Sequence, residues 1–457
     1  MKNNTAEVVI CGAGIAGIAA AYHLAVRRGV TDVVLVDERP PLALTSDKSA
    51  ECYRNWWPGP GDDMVALMNR SIDLLEDLAR ESGNVFRLNR RGYLFATADP
   101  RRASDFVRAA REAEALGAGP TRIHAHPASE YHPAPADGFE AQPTGTDVIT
   151  DRSLIRRHFG WLAEDTVALL HARRCGWFSG QQLGMYLLER ARDKGVRLLE
   201  GRVAAVGTSG GRVRDVTVSA AGGARTIATP AFVAAAGPLM KDVGRLLGVE
   251  LPLFCERHAK VAFNDTLGVM PRSAPMTIWA DPVRLAWSDD ERAELATSEH
   301  RHLLDEFPAG VHGRPEGAGE SRVVLLIWTY DVEPLEPRFP VEFDPYYAEI
   351  TIRGMSRMVP GLAAYLSRLP RAVVDGGYYT RTRENRLLAG PLPVEGAFIL
   401  GALSGYGLMS SNGAADLLAD HVTGRPLPRY APAFRLERYD DPEYRKLLER
   451  WGDDGQL

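Results

Sequence analysis

Long apolar runs are missing from this sequence, and no stretch approaches the roughly 18 or more apolar residues that a membrane span requires. Met1-Lys2-Asn3-Asn4-Thr5 leads straight into a strand-like segment without the pattern of an export signal, so a cytoplasmic protein with no membrane span is expected. Cysteine is scarce too. Cys11, Cys52, Cys175 and Cys255 are scattered with no C-x-x-C spacing, which argues against a disulfide frame or a zinc site and for free thiols of a reducing compartment. The formal net charge of −5 is spread without long single-sign runs. Nucleic acid and anionic membrane both reward a concentrated basic face, so neither is expected as a partner. Internal repeats and low-complexity tails are also lacking. The histidines form no metal set: His124 with His126 falls in a Pro-rich loop and His300 with His302 in a charged helical stretch. Neither pair has acidic or cysteine ligands at useful spacing, so both are expected on the solvated surface.

What the sequence does have is length for two or three domains, at 457 residues, and ordinary globular proportions of 45% apolar and 25% charged residues. Val8-Val9-Ile10-Cys11 reads as a short buried strand. Ile15 to Arg28 carries apolar residues at helical spacing and stops at Gly29, and Val33-Val34-Leu35-Val36 reads as a second buried strand. Residues 62–82 form an amphipathic helix with Met64, Leu67, Met68, Ile72, Leu75 and Leu78 on one stripe. Phe86–Ala96 alternates around Gly92 like a pair of strands, and 118–148, rich in Pro, Gly, His and Ala, reads as irregular surface. Strand-like stretches separated by long polar inserts across 256–370 suggest a second, antiparallel sheet.

The densest chemistry is Gly12-Ala13-Gly14-Ile15-Ala16-Gly17, a G-x-G-x-x-G placed between strand and helix. Gly12 permits the tight turn, Gly14 lets backbone approach a pyrophosphate, and Gly17 lets the helix pack closely on the sheet. The helix start at Ile15 and Ala16 then directs free N–H groups and a partial positive charge at phosphates. Asp37 closes the second strand about 20 residues past the last glycine, where a carboxylate accepts ribose hydroxyls; Glu38 is the neighbouring alternative. These residues point to a bound dinucleotide and leave FAD against NAD open.

Further along, Gly176–Leu187, Val203, Phe232–Gly237 and above all Tyr379-Thr380-Arg381-Thr382-Arg383-Glu384 and Gly401-Ala402-Leu403-Ser404-Gly405-Tyr406-Gly407-Leu408-Met409 carry a family likeness. The order of elements over residues 6–430 resembles the D-amino-acid oxidase, glycine oxidase and sarcosine oxidase superfamily. The resemblance implies FAD, with Val203 holding adenine through backbone groups. Gly237 would belong to a second flavin-side turn, and Arg39, Thr45 and Ser46 would lie along the phosphates and flavin. In the G-x-S-G-H-G-F-like turn, Gly401, Gly405, Tyr406, Gly407, Leu408 and Met409 would face the ring, with N–H groups stabilising charge on the reduced flavin. It implies oxidation of a C–N bond in a small-molecule amine or amino acid, with dioxygen or another acceptor taking the electrons.

Departures from the family pattern limit what it implies about substrate. Gly377 stands where sarcosine oxidases carry the cysteine that tethers flavin, so non-covalent FAD is expected. Met409 replaces a carboxylate-binding lysine, and Tyr379 stands where glycine oxidases have an arginine. Aligning Pro58-Gly59 with a family glycine puts Arg54 at the carboxylate clamp, a task suited to a planar guanidinium; pairing with Glu51 or a phosphate is the alternative. Lys48 is either a flavin or dioxygen contact or a surface lysine. Trp56 and Trp57 are either a wall over the ring or core aromatics, and Cys52 either a flavin link or an inert thiol.

The expected architecture is α/β with α+β. A discontinuous Rossmann-like FAD-binding domain (residues 1–84, 151–255 and 371–432) would join an antiparallel-sheet substrate domain (85–150 and 256–370), followed by a charged tail at 433–457. Competing functions are an NAD(P)H-dependent flavin monooxygenase, although no second complete G-x-G-x-x-G is present, and a flavin-binding electron-transfer subunit of a larger complex.

Overall fold

In the computed structural model, residues 4–57 and 59–451 are described. Pro58, part of the alignment that singled out Arg54, and tail residues 452–457 lie outside them.

Val8–Cys11 and Val33–Asp37 pair in parallel with Val8 opposite Val33, and the helix Ile15–Tyr22 runs between them in sequence. That helix continues as a π-helical turn, His23–Arg27, before Gly29 takes a positive φ of 77°. Because strand side chains alternate, Val8, Ile10, Val33 and Leu35 enter a core against the helices. Val9, Cys11, Val34 and Val36 enter a second core, which the three-stranded sheet of Arg202–Ser209, Arg212–Ala220 and Gly223–Ala228 helps to build. Both faces are covered, which explains why the strands read as continuous apolar runs. The full sheet runs Leu388–Pro391, Ala397–Gly401, Phe232–Ala234, Val8–Cys11, Val33–Asp37, Arg197–Glu200, with the outermost Leu388–Pro391 antiparallel to its neighbour.

The helix Asp63–Ser82 buries its expected stripe, and it crosses the helix Gly407–Thr423 closely. A Cβ at Gly413 would lie 2.9 Å from the Leu67 carbonyl oxygen, so glycine sets the approach. Ser71 ties the crossing, donating to the Met409 carbonyl at 2.5 Å and accepting from Gly413 N–H at 3.0 Å.

The second sheet has ten strands. It is mainly antiparallel, but Met276–Trp279 pairs in parallel with Tyr93–Thr97, and Thr121–His124 with Thr146–Ile149. Ala168–Ala172 and Val373–Arg381, both expected among the cofactor-binding segments, are hydrogen-bonded into this sheet.

Three expectations are corrected. Phe86–Ala96 supplies one strand, Tyr93–Thr97, because Asn84 and Arg87 take positive φ and turn the chain before it. The stretch 118–148 holds the strand Thr121–His124 and the start of Thr146–Ile149, since its prolines and glycines punctuate the strands rather than exclude them. His124 is buried, bonded to Asp147 at 2.9 Å in a network with Arg122 and Arg173. His126 is exposed, as expected. Among the described residues no group of His, Cys, Asp and Glu could hold a metal ion, and no helix is long and apolar enough to cross a membrane.

Candidate functional site

The carboxyl end of the parallel sheet opens into a cavity of about 640 Å³. Its position follows from the first turn. Gly12 has φ +112°, and a Cβ there would sit 2.3 Å from the Ala235 carbonyl oxygen. Only glycine can take this backbone without a clash, so the chain leaves the strand sharply and presents Gly14, Ile15 and Ala16 to the cavity. Gly14 is the N-cap of the helix and supplies no side-chain cap, leaving first-turn N–H groups other than that of Ile15, which Ser46 accepts, for a ligand. Gly17 does not line the cavity. A Cβ there would be 1.8 Å from the Gly12 carbonyl oxygen, so its role is contact between helix and turn.

Asp37 reaches back to this turn, accepting from Ala13 N–H at 2.7 Å and from Arg39 N–H at 2.9 Å. A carboxylate has about four acceptor directions, so two remain for a ligand. Asp37, Glu38 and Arg39 all line the cavity, and the Arg39 guanidinium stacks 4.8 Å over Phe339. Beyond them lie Val203 and Ala204, where the strand pairing slips between Val203 and Ala205. Such a bulge leaves backbone groups unpaired at the cavity wall.

On the other side stand Thr45, Ser46 and Ser49. Thr45 donates to the Tyr378 carbonyl at 3.0 Å, and Ser46 accepts from Ile15 N–H at 3.0 Å. From behind, Lys260 donates to the Lys48 and Ser49 carbonyls at 2.5 and 3.3 Å, fixing this segment. Gly237, Gly401 and Gly405 border the far end with the start of the helix Gly407–Thr423. Ala402 and Ser404 hold φ values of 55° and 45° there, a tight turn that no glycine relieves. The helix has no side-chain cap, and Gly407 and Leu408 face the cavity. Tyr406 N–H instead closes a turn on Leu403 (3.0 Å), and the Tyr406 ring packs on Trp57 at 5.0 Å. Met409 is likewise buried in the core and does not border the cavity.

Tyr379 forms the end wall. A Cβ at Gly405 would meet its ring at 2.4 Å, and its other face stacks on His258 at 3.7 Å. His258 contacts Glu256 at 3.3 Å, and Glu256 pairs with Arg381 at 3.1 Å. Burial raises the Tyr379 phenol and lowers the His258 imidazole, so both rings are neutral near neutral pH. His258 was not singled out by its sequence neighbourhood; it arrives through the antiparallel pairing of His258 with Gly377.

Arg54 and Lys48 do not line the cavity. Arg54 is buried with its guanidinium 4.7 Å over Trp57, and burial lowers its pKa. Lys48 pairs with Asp47 at 2.8 Å and Asp375 at 3.2 Å, as a surface lysine would. Trp57 is core and Trp56 packs on Phe95. The Cys52 thiol is pushed up to about 11 by burial, which suits an inert side chain.

A cavity lined by two helix starts, an acid beside the first and a bulged strand defines a binder of an extended dinucleotide. The chain belongs to the DAO family, FAD dependent oxidoreductases, whose match spans residues 7–421. The residues present fit that cofactor: the glycine cradle at Gly12 and Gly14 would be filled by any Cβ, and the volume suits a largely buried ligand. Among similar proteins is the mitochondrial dimethylglycine dehydrogenase of Rattus norvegicus, 28% identical over 322 residues. That match covers 69% of this chain and 34% of the relative, so the chain spans about a third of its length. The mitochondrial sarcosine dehydrogenase of Mus musculus is 26% identical over 279 residues, 58% of this chain and 26% of that protein. The crystal structure of L-proline dehydrogenase from P. horikoshii superposes with a TM-score of 0.71 at 16% identity, covering 96% of this chain and 98% of that one.

Proposed function

We propose that the protein oxidises a C–N bond of an amine or amino acid, with N-substituted amino acids as the substrate class. The observation that carries this reading is the neutral wall of Tyr379 stacked on His258 at the end of the cavity. A hydride leaves carbon readily only when the adjoining nitrogen is an uncharged amine. The carboxylate beside this wall, Glu256, is already engaged by Arg381 and His258, so an ammonium finds little to pair with and loss of its proton is favoured. The relatives named for dimethylglycine, sarcosine and L-proline suggest a secondary or tertiary amine beside a carboxylate.

Within this reading Asp37 accepts from the ribose, the helix start at Gly14–Ala16 meets the pyrophosphate, and Val203 holds the adenine with its backbone. Thr45, Ser46 and Gly237 flank the phosphates and flavin, while Gly401, Gly405, Gly407 and Leu408 surround the ring. When bound, FAD supplies the hydride acceptor, and the chain orients the substrate, excludes water and sets the local charge. Tyr379 is the residue that shapes the substrate's side of the cavity. For Arg54 to grip a substrate carboxylate, its guanidinium must leave the face of Trp57. Unchanged apparent affinity for a carboxylate substrate in Arg54→Ala would remove that role. Four free cysteines suit a reducing compartment such as the cytoplasm.

Anaerobic mixing with a panel of N-methyl amino acids, cyclic imino acids and primary amines is expected to bleach the flavin with at least one N-substituted member. No bleaching by any amine, or rapid bleaching by NADPH alone, would turn the reading toward electron relay or a monooxygenase. Comparing peroxide yield with dye reduction then decides between dioxygen and another acceptor.

Gly377 faces Thr45 and Lys48, with no cysteine at that position. FAD is accordingly proposed to be held without a covalent bond, and acid precipitation should leave all flavin colour in the supernatant. Colour retained in the pellet would refute this.

A further inference from the structure

The C-terminal segment lies past the family-matched residues, yet it enters the interior. Ala431 and Phe434 are fully buried, so the segment is already anchored before it reaches Arg438. Besides the Arg435 carbonyl (3.4 Å) and the Tyr439 hydroxyl (2.9 Å), the Arg438 guanidinium engages one turn, Thr382–Leu387. It donates to Glu384 Oε1 from Nε (3.1 Å) and Nη2 (2.7 Å), to the Leu387 carbonyl at 2.9 Å and to the Arg386 carbonyl at 3.1 Å. The side chains of Arg438 and Glu384 are 3% and 0% exposed. Tyr439 and Tyr444, from the same segment, donate their hydroxyls to the same Glu384 oxygen at 2.8 and 2.9 Å.

This turn joins two walls of the cofactor cavity. One residue before it come Tyr379 and Thr380, both cavity residues, and the Thr380 carbonyl accepts from Ser404 N–H at 2.9 Å. Within it, Asn385 takes φ +56° and its carbonyl accepts from the Tyr406 hydroxyl at 2.9 Å. Tyr406 is the N-cap of the helix whose first residues face the ring end. A displaced Glu384 would therefore move both the Tyr379 wall and the uncapped helix start.

We infer that Arg438 is a positioning residue for the flavin-ring end of the cavity, acting through Glu384 and the Asn385–Tyr406 bond. A guanidinium suits the task because its fixed fork engages the carboxylate and the turn's carbonyls together. The inference rests on FAD binding and not on the substrate reading, and its test needs no substrate.

The test uses the full chain. Apoprotein is titrated with FAD while the visible flavin spectrum is recorded, for Arg438→Met, Arg438→Lys, Glu384→Gln and the double variant Arg438→Met/Glu384→Gln. Arg438→Met should weaken FAD binding by about tenfold or more and alter the bound-flavin spectrum, because it leaves a buried carboxylate without its cation. Arg438→Lys should recover part of both, and the double variant should fall well short of the product of the single effects. A folded Arg438→Met with wild-type FAD affinity and spectrum overturns the inference. Should that variant not fold, Tyr439→Phe/Tyr444→Phe decides: several-fold weaker FAD with an altered spectrum supports it, and unchanged values for both overturn it.

Discussion

Gly17→Ala is expected to give a chain that folds but purifies almost without flavin. The methyl group would stand 1.8 Å from the Gly12 carbonyl oxygen and 3.3 Å from Leu35 Cδ1. The obstacle at Gly12 is backbone, which no rotamer change can clear. The helix Ile15–Tyr22 must therefore lift from the turn, carrying with it the N–H groups that face the cavity. Overpacking of this kind costs about 1–3 kcal/mol of stability. The same displacement should cost FAD at least about tenfold in affinity, since every 1.4 kcal/mol is a factor of ten. The ratio of flavin to protein absorbance after purification measures it directly. Gly222→Ala, where nothing lies within 4 Å, is the control and should retain flavin. Wild-type flavin content in Gly17→Ala would mean that the helix start does not hold the cofactor.

The second large effect is acid instability that sets in well above the carboxylate range. Burial lowers His171 to about 3 and His312 to about 4. Both rings stay neutral in the folded protein across an interval in which an unfolded histidine, with a pKa of about 6.5, takes up a proton. Between roughly pH 6.5 and 4 the unfolded chain therefore binds more protons, and stability falls as pH falls. Each histidine contributes up to about 1.4 kcal/mol per pH unit in that window. Their stabilising effect is fully present above pH 6.5. His171 is held by the Tyr131 hydroxyl and the Arg91 carbonyl, at 2.9 Å each, and Arg173 beside it further discourages a second positive charge. Denaturant melts at pH steps from 7 to 4.5 should show a steep, monotonic loss beginning near pH 6.5. A flat profile down to pH 5 would contradict the assignment.

The cofactor half of the molecule was legible because each of its requirements is local. A strand, a glycine turn, a helix start and an acid at the end of the next strand lie within residues 8–38, and the cavity forms where they meet. Gly401–Leu408 was legible in the same way, as a short turn entering a helix. The proposed substrate side was not. His258 reaches Tyr379 across a pairing of strands more than a hundred residues apart, and nothing beside His258 in the chain announces that neighbour. Arg54 was singled out by an alignment through Pro58-Gly59, but orientation decides its partners, and its side chain turns onto Trp57. Tyr406 and Met409 fell inside a recognisable motif while serving the core behind it. The strands within 118–149 were hidden because proline and glycine mark strand ends as readily as loops.

The strand order has a consequence for how the protein is made. Phe232–Ala234 pairs with Val8–Cys11 on one side, but its other edge waits for Ala397–Gly401. During synthesis this parallel edge stays open until Ala397–Gly401 has left the ribosome, and the cavity lacks its far end until Leu408 has followed. Flavin loading thus waits for Leu408, and the growing chain carries this unpaired apolar edge from Ala234 until Ala397 emerges, an interval in which aggregation competes with folding. Riboflavin supply during expression should accordingly govern the soluble yield of this protein as well as its colour.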